Sequence, residues 1–408
     1  KWFQGFDPAR PVQLPGSLVA QRIGDPVGLD TPWTGTIVDR SWFTSPEFEA
    51  DRQPGRVRVP FWLQPEAVYV GPAWYQREAD IPQVAAGRRL ELILERPHWF
   101  TTVWWNEQKI GSGDSLSTPH VFDLGDARPG RHRLTIRVDN RLLINVGSNA
   151  HSVSDHTQGN WNGIVGTLRL RATPRAWIEW VTVYPSAQRR EATVEVRIGA
   201  RPDLSGRQGQ LELHVSGGPA ISLYPKLANT GALVRATLVL SQAAPLWDDM
   251  TPFCHSLRVD WHAPDGGTES RELRFGFRDV EVRERQILVN GIPRFLRGTL
   301  DCCIFPKTGH PPTDPDEWRR IFRRIREYGF NHVRFHSWCP PAAAFEMADE
   351  LGIYLHVECA TWANSGARIG DGGPLDAWVE AEAERIVRWY GHHPSFLILC
   401  HGNEPAGK

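Results

Sequence analysis

At 408 residues the chain is long enough for two to three folding units of about 150 residues each, not one. Lys plus Arg (46) nearly balance Asp plus Glu (47), for a net charge of −1. That excludes a strongly basic nucleic-acid surface and an acidic tail. Hydrophobic residues at 41% and charged residues at 23% are ordinary for a globular chain. No run approaches the ~20 apolar residues of a membrane-spanning helix.

Trp (18) and Phe (17) are plentiful beside two Met. Aromatic planes suit the apolar faces of sugars, although filling cores is their commoner use. The chain begins at Lys1 without a charged-then-apolar leader, as expected of a protein whose signal peptide has been removed or of an excised piece. Five of the six cysteines (Cys302, Cys303, Cys339, Cys359 and Cys400, with Cys254 earlier) fall in the last part of the chain without CxxC pairs. Neither a zinc motif nor a disulfide framework is signalled.

In chain order, residues 1–173 read as short strands: Val68–Tyr75, Arg89–Leu94, Thr101–Trp105, His132–Val138 and Gly166–Leu170. Turn residues such as Asn106-Glu107 and Pro129-Gly130 punctuate them. This spacing predicts a β-sandwich, with a jelly roll preferred. Residues 174–281 repeat the rhythm in Trp180–Tyr184, Ala192–Ile198, Gln210–Val215, Leu233–Leu240 and Ser256–Trp261, which predicts an immunoglobulin-like sandwich.

Residues 282–408 alternate strands with helices. An opening strand at Phe295–Leu300 precedes a helix capped by Asp314, with Pro315 at its first position and Glu317 closing a capping box. Trp318, Ile321, Phe322, Ile325 and Tyr328 give that helix an apolar face, and Gly329 stops it. His332–Phe335 reads as a strand, Pro341–Leu351 as a helix, Ile353–Val357 as a strand, Leu375–Trp389 as a helix and Phe396–Cys400 as a strand. Four strands joined by three helices begin a parallel α/β architecture. A (β/α)8 TIM barrel needs ~250 residues, so this stretch suffices for its first half.

The chemistry-bearing motif follows the last strand: His401-Gly402-Asn403-Glu404-Pro405. A carboxylate at the C-terminal end of a parallel barrel strand lies where barrel active sites are built. Burial or a neighbouring negative charge there would let Glu404 protonate a leaving oxygen, with Asn403 placed to bond a substrate hydroxyl.

Read together, the segments resemble glycoside hydrolase family 2, which includes β-galactosidases, β-glucuronidases and β-mannosidases. The matching stretches are Gly71-Pro72-Ala73-Trp74-Tyr75, Trp105-Asn106 to Gly111, Val138-Asp139-Asn140 and Asn160-Trp161-Asn162-Gly163-Ile164 in the first segment. They continue through Phe275-Gly276-Phe277-Arg278, Val289-Asn290-Gly291 and Leu296-Arg297-Gly298. Asn331-His332-Val333-Arg334-Phe335-His336, Ala348-Asp349-Glu350-Leu351-Gly352-Ile353-Tyr354, His393-Pro394-Ser395 and Gly402-Asn403-Glu404 complete them. The resemblance implies a retaining exo-β-glycosidase with a sugar-binding jelly roll, an immunoglobulin-like domain and a catalytic barrel. Glu404 matches the family's acid/base and Asn403 the residue contacting the sugar's 2-hydroxyl. Arg334 matches the arginine that supports the carboxylates, and His336 a pocket-lining position.

Departures are equally specific. The family's nucleophilic Glu comes from a later barrel strand. Asp301, Glu358 and Asp371 lie near strand ends but none matches it, so the chain is expected to be the N-terminal portion of a longer enzyme. Leu399 stands where many members have Trp. Thr157 stands where galactosidases and glucuronidases project an Asp, leaving Asp155 as a candidate substitute. Galactosidase-type magnesium ligands are not reproduced in Cys359-Ala360-Thr361-Trp362-Ala363-Asn364, so no essential metal or cofactor is expected. Trp338 and Trp362 either stack on a sugar ring or fill the barrel mouth. Cys302 and Cys303 read as small buried hydrophobes rather than a reactive pair. The expected partner is a carbohydrate of galactoside or glucuronide type, with neither nucleic acid nor membrane. Members of the family often oligomerise, but no interface is legible. Polymeric substrates favour a periplasmic or secreted location. The reading from a different class is a carbohydrate-binding protein without catalysis.

Overall fold

The computed structural model describes residues 11–362, 367–404 and 406–407. The first ten residues of the expected jelly roll, and Ala363, Asn364 and Pro405 of the motifs above, lie outside them.

Alternating burial organises the first unit, as in Phe100–Trp105, where every second side chain is enclosed. One antiparallel sheet orders Pro72–Ile81, Gly130–Asp139, Phe100–Trp105 and Gln108–Gly113. A second orders Leu168–Thr173, Arg89–Leu94 and His120–Asp126. Tyr75, Leu92, Val103, Phe122 and Val138 share one core between them. The strand expected at Gly166–Leu170 forms two residues later, because Gly163–Ile164 pairs elsewhere, with Gly16–Ser17 and Pro97–His98.

The next unit again holds two antiparallel sheets. Ala176–Ser186, Glu191–Ala200 and Ala232–Val239 form one, while Ala220–Leu223, Gln210–Val215, His255–His262 and Thr268–Phe275 form the other. Its core includes Val194, Val196, Leu211, Leu257 and Trp261.

The rest of the chain winds a parallel sheet in sequence order: β1 (Gly298–Asp301), β2 (His332–Phe335), β3 (Tyr354–Glu358) and β4 (Phe396–Cys400). Its connections carry α1 (Pro315–Glu327), α2 (Ala342–Leu351) and α3 (Pro374–Tyr390). Asp314 caps α1 by accepting from the Asp316 N–H, worth about 1 kcal/mol. The capping box does not close, since Glu317 pairs with Arg320 one turn on. Tyr328 is 80% exposed rather than on the apolar face, because it caps the C-terminus of α1 after the buried stripe has passed.

The units interlock. Trp99, Leu116, Val146 and Val153 join Trp318, Phe335 and Trp338 in one core. Arg96 donates to the Cys339 carbonyl at 2.6 Å, and Glu382 of α3 accepts from Ser115 Oγ and Leu116 N, each at 3.0 Å. Trp247 donates to the Asp349 carbonyl of α2 at 2.8 Å. This is a β-rich multidomain protein whose antiparallel units clasp a parallel sheet.

Candidate active site

The C-terminal edge of the parallel sheet gathers the polar residues. Arg334 stands on β2 beside His356 of β3, and Glu358 ends β3 opposite Cys400 of β4. Glu358 is fully enclosed. Its Oε1 accepts from Arg334 Nε at 2.7 Å and its Oε2 from the Ser337 N–H at 2.5 Å. Arg334 Nη2 also donates to Asn403 Oδ1 at 2.8 Å. The guanidinium thus bridges a buried carboxylate and the amide next to Glu404.

Asn403 is 5% exposed, and its Nδ2 has no partner among the described residues. A buried donor left unbonded costs about 1–3 kcal/mol. Backbone fixes the residue: its N–H donates to the Thr361 carbonyl at 2.9 Å. Gly402, at φ +151°, is required there, because a Cβ would come within 1.8 Å of Thr361 Oγ1. Glu404 is exposed at the rim, where Trp362 Nε1 donates to its Oε2 at 2.8 Å.

The half-buried His336 follows β2. Its Nδ1 lies 3.0 Å from His151 Nδ1, and its ring meets Trp362 edge-on at 5.0 Å. Burial is the main cause lowering its pKa. Arg334 also lowers it, whereas Glu358 and Glu404 oppose that shift. Burial likewise pushes His151 down, to about 4. His151 belongs to the loop between Asn140 and Asn160, which is stitched to the sheet edge. The His151 N–H donates to Ser337 Oγ at 2.8 Å and the Trp362 N–H to the Val146 carbonyl at 2.8 Å. Gly147 (φ +96°) makes that approach, where a Cβ would meet the Trp362 carbonyl at 2.2 Å.

Three non-glycine residues adopt left-handed backbone at this edge: Cys303 (φ 57°), Ser337 (φ 51°) and Glu404 (φ 41°). Such conformations are uncommon outside glycine and concentrate at functional sites. At Ser337 the turn aims the N–H at Glu358.

The structure therefore brings Arg334, His336, Asn403, Glu404 and Trp362 together. Trp338 is corrected: it is fully enclosed against Phe335, Phe305 and Trp318, and its indole N–H is spent on the Asp301 carbonyl at 3.0 Å. It fills the core and offers no face to a sugar. Asp155 is buried, with its Oδ2 accepting from the Gly35 N–H at 2.8 Å. Desolvation pushes it up to about 6 against backbone hydrogen bonds from residues 34 and 35. In this arrangement Asp155 pins the N-terminal arm. Cavities of about 350 and 600 Å³ open elsewhere, lined by Val38, Phe61, Trp62 and His156, and by charged residues of α1 with Glu350. Neither includes Glu404.

His151 escaped sequence reasoning because a loop has no periodicity to mark its contacts. Cys302 also departs from expectation. Cys303 is buried, but Cys302 is only half-buried and stands near both histidines. Among the described residues, His151, Cys302 and His336 form one group with spacing suited to a metal, and Glu212, His214 and Asp260 another.

No family model matches the chain. It is 26% identical over 387 residues to the β-galactosidase large subunit of Latilactobacillus sakei, covering 91% of this chain and 59% of that protein. It is 24% identical over 425 residues to a β-galactosidase of Pseudoalteromonas haloplanktis, covering 98% and 39%. A family 2 β-galacturonidase from Eisenbergiella tayi bound to galacturonate superposes with a TM-score of 0.66 at 18% identity, over 81% of this chain and 58% of that one. The chain is thus similar in sequence to β-galactosidases and in fold to a glycoside hydrolase family 2 structure. Bacteroides uniformis β-glucuronidase 2, covalently bound to cyclophellitol-6-carboxylate aziridine, superposes with a TM-score of 0.66 at 20% identity, over 81% of this chain and 41% of that one. The chain spans 59% and 39% of the two β-galactosidases.

Proposed function

We propose that this chain is the N-terminal portion of a retaining exo-β-glycosidase that hydrolyses terminal β-linked sugars of galactoside or glucuronide type. In this reading residues 1–173 are a sugar-binding jelly roll, residues 174–281 an immunoglobulin-like sandwich, and residues 282–408 the first half of a TIM barrel. The carrying observation is the Nδ2 donor of buried Asn403, unpartnered among the described residues and held by Arg334 one residue before Glu404. A sugar hydroxyl accepting from Nδ2 would satisfy that donor and seat the glycosidic oxygen beside Glu404.

Glu404 then acts as the acid/base. It gives a proton to the leaving oxygen while a second carboxylate attacks the anomeric carbon. It next takes a proton from the water that cleaves the glycosyl–enzyme ester. Retention sets the two carboxyl groups about 5–5.5 Å apart. Glu358 is a poor nucleophile, because Arg334 and the Ser337 N–H engage both its oxygens. Its role is to hold Arg334. The nucleophilic Glu is assigned to a later barrel strand, in keeping with the greater length of the relatives. His336 and Trp362 wall the site. A polymeric substrate places the enzyme in the periplasm or outside the cell.

The test is turnover by the full-length protein on a panel of nitrophenyl β-glycosides. Hydrolysis of galactosides, glucuronides or galacturonides with net retention supports the reading. Binding without turnover of any of them leaves a carbohydrate-binding protein instead.

A further inference from the structure

We propose that His151, Cys302 and His336 form a zinc site that clamps the loop between Asn140 and Asn160 onto the first two strands of the parallel sheet. One ring nitrogen from each histidine and Cys302 Sγ lie within 4.8 Å of one another. Three separate elements supply them: the loop, the residue following β1, and the residue following β2. Convergence of three such side chains from distant positions is not a by-product of local sequence.

The spacing suits a tetrahedral ion. Bonds of ~2.0–2.1 Å to nitrogen and ~2.3 Å to sulfur put ligand atoms about 3.3–3.6 Å apart. The two Nδ1 atoms are 3.0 Å apart, at hydrogen-bond distance, so an ion would replace that contact, and separations of up to 4.8 Å within the group would close by up to about 1.2 Å to reach tetrahedral spacing. A set of two imidazoles and one thiolate is borderline-soft, which favours zinc over magnesium or calcium.

The trio is unrelated to the carboxylate-type magnesium set that the sequence lacks, and the inference stands whether or not the protein cleaves glycosides. Its effect is mechanical. His151 and His336 lie 5.5 and 5.0 Å, ring to ring, from Trp362, so an ion joining them would fix the wall that orients Trp362 toward Glu404.

The test is zinc binding by the full chain, stripped with chelator and kept reduced, in competition with a chromophoric chelator. Bound zinc is counted by mass spectrometry. Cobalt is added separately to look for thiolate-to-metal charge-transfer absorption. The expected result is one equivalent of zinc, a thiolate band with cobalt, and a rise in melting temperature with zinc. Cys302→Ser and His151→Ala should each weaken zinc binding at least ~100-fold, beyond the 10–100-fold typical of outer-shell changes. Cys254→Ser should bind as the unaltered protein does. Circular dichroism establishes that each variant is folded, and either of the two ligand variants suffices if the other is not. Absence of stoichiometric binding overturns the site. So does binding that survives Cys302→Ser or that is lost in Cys400→Ser instead.

Discussion

Arg334 and Glu358 form the joint on which the site hangs: Nη2 lies 2.6 Å from a carboxylate that is fully enclosed, while the arginine side chain is about a third exposed. Removing the cation leaves Glu358 with an uncompensated charge. Arg334→Met is expected to cost about 3 kcal/mol, the lower end for a broken buried pair because Arg334 reaches solvent. Urea denaturation measures it, and a loss below about 1 kcal/mol would show that water screens the pair.

Trp338 and Trp362 separate a packing role from a binding one. Trp338→Ala empties a fully enclosed position and should cost about 3–5 kcal/mol. Trp362→Ala removes a partly buried ring that holds Glu404. It should destabilise less and should weaken affinity for a terminal sugar in the full-length protein. Calorimetry with a monosaccharide inhibitor, beside thermal melts, distinguishes them. Equal stability losses in the two variants would contradict the assignment.

Asp155 gives the fold a signed pH dependence. Its carboxyl, near 3.8 when unfolded, is pushed up to about 6 by burial. Between those values the folded chain holds a proton that the unfolded chain has released, so rising pH draws the equilibrium toward unfolding. The contribution is favourable at low pH and is lost by pH 7, a change of at most about 3 kcal/mol. Asp155→Asn removes this titration. Its stability relative to the unaltered protein should rise by up to about that amount from pH 4 to pH 7. A flat difference would place the carboxylate in solvent.

Much of this was legible in sequence because short motifs mark joints as well as chemistry. Tyr75 donates to Asn162 Oδ1 at 2.8 Å, and Asn162 Nδ2 donates to the Gly71 and Val138 carbonyls at 3.0 Å, so three separate motifs of the first unit are one hydrogen-bonded knot. Asp349 accepts from the Ser395 N–H at 2.9 Å and pairs with His393 at 2.6 Å, while Arg278 reaches the Phe396 carbonyl at 3.0 Å. The alternation of strand and helix after β1 followed from apolar spacing and from Asp314, Gly329 and Gly352. Periodicity could not say which indole faces the site, since Trp338 and Trp362 both follow strand ends and differ only in tertiary enclosure. Nor could it show His151 reaching His336 across 185 residues.

Asn403 tests the sugar contact separately from acid catalysis. Asn403→Ala removes the amide donor, worth about 2 kcal/mol if it strengthens toward the transition state, or roughly 30-fold in kcat/KM. A 2-deoxy substrate should lose its own deficit in this variant. If both substrates slow equally in Asn403→Ala, the amide does not meet the 2-hydroxyl.

Glu404→Gln in the full-length protein reaches the centre of the account. General acid help is worth about 10²–10⁴-fold and matters most when the leaving oxygen is basic. Rates on alkyl β-glycosides should fall by that order, while dinitrophenyl glycosides should lose far less in glycosylation. Equal rates for variant and unaltered protein on alkyl glycosides, or equal losses on both substrate types, would contradict Glu404 as the proton donor.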